Sequence, residues 1–113
     1  MIAALQGDVL SIREDSMVVR VGGVGLKVFA PNGFIQQTHP GDPVSLHTHL
    51  VVREDSLSLY GFETENERDF FILLLGVSGV GPRTALAILS TLSVDTIRRA
   101  VLSEQADIFS LPR

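Results

Sequence analysis

Near residue 62 the apolar pattern of this chain changes its period, and that switch limits the possible folds more than any other feature of the sequence. Before it, apolar and polar residues tend to alternate in short runs. After it, apolar residues recur every three to four positions. Alternation half-buries a strand, whereas a three-to-four repeat half-buries a helix. A chain that presents strands first and helices second must close a β core and then lay helices against it.

The strand-like runs are Val9 to Arg13, Met17 to Val21, Leu26 to Phe29, Val44 to Val52 and Leu57 to Tyr60, most of them rich in β-branched residues. Compact polar or glycine-rich turns separate them: Glu14-Asp15-Ser16, Gly22-Gly23-Val24-Gly25 and Glu54-Asp55-Ser56. Pro31 to Pro43 is a longer connection, with Asn32 to Gln37 as a single helical turn. Five short antiparallel strands with an insertion after the third predict a five-stranded OB-fold over residues 1–62.

From Thr64 the signals are helical. Thr64-Glu65-Asn66-Glu67 reads as a capping box, in which the Thr64 hydroxyl and the Glu67 carboxylate satisfy amides left open at a helix start. Phe70, Phe71, Leu74 and Leu75 follow as a buried stripe, until Gly76 to Gly81 breaks the helix. Pro82 opens the next one, with Ala85, Leu86, Ile88 and Leu89 as its apolar face. Ser93 caps a helix through Leu102, and Ser103 caps a last short one through Phe109. The expected second domain, residues 63–113, is a helical region joined to the barrel without a flexible linker. At about 50 residues it is small for an independent core, so it must lean on the barrel, on other subunits or on further sequence.

Composition removes whole classes of function. The chain has 113 residues, 45% of them hydrophobic, so it is not intrinsically disordered. Its longest apolar run, Phe70 to Val77, is far short of the roughly 20 residues that span a membrane. The mean hydropathy of +0.31 then points to a subunit interface. Without cysteine there is no disulfide, thiolate nucleophile or cysteine-held metal. The N-terminus carries no secretion signal, which makes a cytoplasmic location the expectation. A net charge of -4 argues at first sight against nucleic acid, whose binders usually show a basic footprint.

The segment Gly76 to Arg83 bears on chemistry most directly. Gly76 and Gly81 have the separation of the outer P-loop glycines, but Pro82 and Arg83 stand where lysine and a hydroxyl residue are needed. The dinucleotide fingerprint fails as well, because the glycines read G-x-x-G-x-G and follow a helix. What is left is helix, tight apolar hairpin, helix. Gly79 and Gly81 would let the backbone approach a phosphate, their amides and the start of the next helix would form an anion site, and Arg83 would add a charge. The bland alternative is a turn whose glycines only permit packing. The whole string from Leu74 to Ala87 favours phosphate, because it resembles the helix-hairpin-helix motif of sequence-independent DNA-binding proteins.

Val51-Val52-Arg53-Glu54-Asp55 is, read alone, a charged hairpin tip. Followed by Leu59-Tyr60-Gly61-Phe62 and then by the Gly79-Val80-Gly81-Pro82 hairpin, and preceded by the Gly22 to Gly25 turn, it resembles the RuvA family of Holliday junction branch migration subunits across residues 1–110. The resemblance implies an OB barrel followed by two helix-hairpin-helix motifs, in a homotetramer that holds a four-way junction open and flat during recombination and DNA repair. It implies that Glu54 and Asp55 form an acidic pin at the strand-exchange point, and that Ser78, Gly79, Gly81 and Arg83 form the first phosphate-binding hairpin. The resemblance further implies a non-enzymatic subunit that needs no cofactor, with ATP-driven force supplied by the AAA+ partner RuvB and resolution by the nuclease RuvC. The second hairpin, expected at or just after Leu111-Pro112-Arg113, and the domain that contacts the motor are absent from this sequence, which reads as truncated.

The pin has a simple physical content. A carboxylate about 5 Å from a phosphate in wet surroundings repels it by roughly 1 kcal/mol, so a ring of them keeps crossing strands apart. Other candidates are weaker. His47 and His49 alternate on one strand without a third ligand and read as ordinary strand histidines, so no metal site is expected. Arg98-Arg99 could meet DNA, but a solvated helix face is the commoner role for such a pair. The rival functions are an OB-fold single-strand-binding or oligomerisation module, disfavoured by few aromatics and no tryptophan, and a small enzyme, disfavoured by the missing nucleophile and nucleotide motifs.

Overall fold

A computed structural model describes residues 2–92 and 96–103. Five strands, β1 (Ala4–Ile12), β2 (Ser16–Val21), β3 (Val24–Phe29), β4 (Pro43–Val52) and β5 (Leu57–Phe62), close into a barrel in the order β1-β2-β3-β5-β4. Neighbours are antiparallel except β3 and β5, which run parallel over Val28↔Leu59 and Phe29↔Tyr60. This is the OB-like barrel expected from the sequence.

The first strand is longer than its pattern suggested. β1 begins at Ala4 rather than Val9, because Ala4 to Asp8 pair with His47 to Pro43 of β4 and so close the barrel. Local propensity hides this half of the strand, since it contains Gly7. A Cβ at Gly7 would lie 2.1 Å from the Arg20 carbonyl oxygen, so the backbones of β1 and β2 need a glycine where they approach. Similarly, Val24 and Gly25 belong to β3, paired with Val21 and Arg20, and the turn shrinks to Gly22-Gly23 with Gly22 at φ 62°.

Leu5, Val9, Met17, Val19, Val28, Leu46 and Leu59 fill the barrel, and Ile35 joins them from the short helix α1 (Asn32–Gln36). A second apolar cluster lies beside it. Helices α2 (Glu65–Leu75) and α3 (Pro82–Leu89) contribute Phe71, Ala85, Leu86 and Leu89, residues 96–103 form α4 and add Ile97 and Val101, and β5 supplies Tyr60 and Phe62. The apolar packing therefore runs from β5 into the helices. Phe71 is fully buried, with its ring 4.9 Å from Tyr60 and 5.0 Å from Phe62. Burying such a side chain contributes roughly 1.5–3 kcal/mol. Of the expected α2 stripe, only Phe71 is fully buried; Phe70, Leu74 and Leu75 are half-buried at the edge of this cluster.

The capping box is formed as read. The Thr64 hydroxyl accepts from the Glu67 amide at 3.2 Å, and the Thr64 amide donates to the Glu67 carboxylate at 3.2 Å. The cap at Ser93, the helix through Phe109 and the Leu111-Pro112-Arg113 end lie outside the described residues.

Candidate nucleic-acid interface

Helix α2 ends at Leu75 and α3 starts at Pro82, so residues 76–81 form a tight connection between two packed helices. Three amides fold back onto the chain: Gly76 N–H to the Leu73 oxygen, Val77 N–H to that of Leu74 and Val80 N–H to that of Val77, at 3.0–3.1 Å. The amides of Ser78, Gly79 and Gly81 have no acceptor among the described residues. Gly79 sits at φ 84°, where an L side chain is strained. Gly81 is the N-cap of α3 in ordinary extended conformation and makes no side-chain cap. The first helical bond is Ala85 N–H to Gly81 oxygen at 2.9 Å, which leaves the amides of Arg83 and Thr84 open ahead of it. A row of exposed, unpartnered donors at a helix start suits an anion.

Arg83 does more than its position in the motif suggested. Its Nη1 donates to Asp15 Oδ2 in the β1–β2 turn, and its guanidinium lies 4.7 Å from the centroid of the Phe29 ring. Phe29 in turn stacks on Tyr60, with centroids 5.3 Å apart. The hydrogen bond from Arg83 is the main reason that the Asp15 carboxyl is held below its ordinary pKa. Arg83 also borders a cleft of about 200 Å³ together with Val51, Arg53, Ser56, Ser58, Tyr60 and Pro82. The barrel's last hairpin and the start of α3 thus share a groove lined by two guanidinium groups and three hydroxyls.

Glu54 and Asp55 occupy the exposed tip of the β4–β5 hairpin, closed by a 2.9 Å bond from Arg53 N–H to the Ser56 oxygen. Neither carboxylate has an ion pair or hydrogen bond among the described residues. The structure therefore joins Arg53, beside that tip, to Arg83 through one cleft. Ser78, Gly79 and Gly81 lie on the turn that precedes it.

Ser56, Ser58 and Tyr60 were not singled out in the sequence. Their signal was present: they alternate with Leu57 and Leu59, and the period of two puts Ser58 and Tyr60 on one face of β5, with Ser56 just ahead of it. His47 and His49 hold no cluster of ligands; among the described residues no group of three or more metal-binding side chains comes together. His49 instead packs edge-on against Phe71, and burial followed by the nearby Arg68 charge pushes its pKa down. Arg98 and Arg99 are both exposed on α4. Among the described residues no helix is long and apolar enough to cross a membrane.

A closed OB-like barrel with a helix-hairpin-helix unit packed on its last strand, its Ser78, Gly79 and Gly81 amides open, defines the class of this protein. The family described as "RuvA N terminal domain" matches residues 1–61, and "SAM-like Helix-hairpin-helix tandem" matches residues 71–113. The chain belongs to the RuvA family. It is 50% identical over 113 residues to a Beutenbergia cavernae protein, covering 100% of this chain and 56% of that one. A Micrococcus luteus protein is 47% identical over 104 residues (92% of this chain, 49% of the relative), and one from Thermus thermophilus 44% over 110 residues (97% and 58%). All three relatives carry the name "Holliday junction branch migration complex subunit RuvA". The chain spans about half the length of the curated relatives it matches.

Proposed function

We propose that this chain is a non-catalytic, structure-specific binder of four-way DNA junctions, which it holds open and flat for ATP-driven branch migration in recombination and repair. The observation that carries this reading is the set of open amides at Ser78, Gly79, Gly81, Arg83 and Thr84, continued by the Arg83–Arg53 cleft to a tip bearing two carboxylates unpaired among the described residues. Amides, hydroxyls and arginines bind phosphate without reading bases, so the binding is sequence-independent. The name of the relatives supports a junction as the substrate.

In this reading residues 1–62 are the barrel domain and 63–113 the helix-hairpin-helix domain. Ser78, Gly79, Gly81 and Arg83 hold phosphate, and Glu54 and Asp55 act as a repulsive pin at the crossover. Four copies surround the junction, and exposed Leu10, Val24 and Ile72 give the chain apolar surface for such contacts. The AAA+ ATPase RuvB supplies the motor, RuvC resolves the product, and the assembly works in the cytoplasm. The single-strand-binding alternative fits less well. Phe29, Tyr60, Phe62 and Phe71 stack on one another between β5 and the helices and offer bases no open platform.

The test is a gel-shift comparison of four-way junction, linear duplex and single strand over a salt series, with mass by light scattering alongside. A preference for the junction is expected, together with a salt dependence that Arg83→Ala flattens by up to about 0.9 in log–log slope for each phosphate left without its cation. Equal affinity for junction and duplex in a tetrameric sample would refute the reading.

A further inference from the structure

Arg83 stands between two clefts and is claimed from one side. The first, about 230 Å³, is lined by Asp15, Ala30, Asn32, Arg83, Leu86, Ala87 and Ser90, and Asp15 holds the guanidinium there. The second contains Arg53, Ser56, Ser58 and Tyr60, with no carboxylate among its described lining residues. An oxyanion in the second cleft would face Arg53, Arg83 and three hydroxyl-bearing residues. Among the described residues Arg83 is the one charged side chain that borders both.

We infer that Asp15 is an internal competitor for phosphate: it occupies Arg83 in the DNA-free chain and surrenders it to a backbone phosphate when the junction binds. This rests on the hairpin's reading as a phosphate site. A carboxylate and a phosphate offer guanidinium the same pair of acceptor oxygens, and a phosphate in the second cleft draws the guanidinium away from Asp15 in the first, so the two compete for it. The pair is open to water, with the Arg83 and Asp15 side chains 66% and 44% exposed, and is readily exchanged. Phe29 keeps the guanidinium seated whichever partner it has, because ring and cation attract regardless of the anion. The lowered pKa of Asp15 agrees with a carboxylate held by its arginine.

Asp15 then sets both affinity and salt dependence. When phosphate displaces it, the freed carboxylate takes up a counterion, which cancels part of the counterion release that drives binding. With Asn at this position, Arg83 reaches phosphate without that loss.

Anisotropy titrations of a labelled four-way junction, over a salt series, decide the matter with wild type, Asp15→Asn, Asp15→Ser, Asp15→Glu, Arg83→Ala and the Asp15→Asn/Arg83→Ala double variant. Asp15→Asn and Asp15→Ser should tighten binding about two- to fivefold and steepen the log–log salt slope by up to about one unit per engaged subunit. Asp15→Glu should restore wild-type values, and in the Arg83→Ala background Asp15→Asn should change little. The inference is overturned if Asp15→Asn leaves affinity and slope unchanged or weakens binding, or if it tightens binding equally without Arg83. If wild type binds duplex as well as junction, the junction reading fails, but the same double-variant comparison on duplex still decides the role of Asp15. If wild type binds no DNA, both fall.

Discussion

The His49 imidazole meets the Phe71 ring edge-on, with centroids 6.1 Å apart, and so ties the barrel's fourth strand to helix α2. Burial and the Arg68 charge push the His49 pKa below its ordinary value near 6.5. The unfolded chain therefore binds a proton before the folded chain does as pH falls. Stability from this site is full above the ordinary value and declines as pH drops through it, until the folded imidazole protonates too. Thermal melts of wild type between about pH 7.5 and 5 should show this loss, and His49→Gln should flatten it. A wild-type slope unchanged by the substitution would place the pH sensitivity elsewhere.

Gly7→Ala should be among the most damaging single changes. Its Cβ would meet the Arg20 carbonyl at 2.1 Å and a Val19 methyl at 2.9 Å, and neither β1 nor β2 can retreat without opening the barrel. The expected cost is at the upper end of the ~1–3 kcal/mol typical of overpacking, read from urea denaturation.

Gly79→Ala separates backbone conformation from crowding. No atom lies within 4 Å of a Cβ at Gly79, so the substitution costs only the φ of 84°, about 1 kcal/mol. It should leave the barrel intact and weaken junction binding severalfold by shifting the Ser78 and Gly79 amides. Gly33→Ala serves as its control, since Gly33 lies in α1 with equally open space and no positive φ. It should be neutral to stabilising, by up to about 1 kcal/mol.

Neutralising the hairpin tip should raise affinity at the expense of discrimination. Glu54 and Asp55 are exposed and unpaired among the described residues, so Glu54→Gln with Asp55→Asn should hardly move the melting temperature. Removing two carboxylates, each repelling a nearby phosphate by about 1 kcal/mol or less, should tighten DNA binding by up to about 25-fold per subunit and narrow the gap between junction and duplex. If the pair weakens junction binding as much as Arg83→Ala does, the tip attracts rather than repels.

Much of this was visible before folding because it is local. The β-branched alternation of Met17 to Val21 and Val44 to Val52, the capping box at Thr64 and the Pro82 helix start each depend on residues within a turn or a strand of one another. The first half of β1 was not visible, since Leu5-Gln6-Gly7-Asp8 has poor strand propensity and gains its conformation from pairing with β4 some 40 residues later. The cleft behind the hairpin tip was half visible: Arg53 and Arg83 were conspicuous singly, but nothing local tells that they share a groove.

The sequence by itself determined the strands-then-helices order, the open hairpin at Gly79 and Gly81, and the acidic tip at Glu54 and Asp55, because spacing and backbone preference act over a few residues. Only the tertiary structure decided what Arg83 does. Its Asp15 partner lies 68 residues away, and its Phe29 seat is on a strand that reaches α3 only once β3 and β5 have paired and the barrel has closed. Net charge could not foresee this. An ion pair needs its two groups within about 4 Å, and that distance belongs to the closed barrel rather than to the order of residues along the chain.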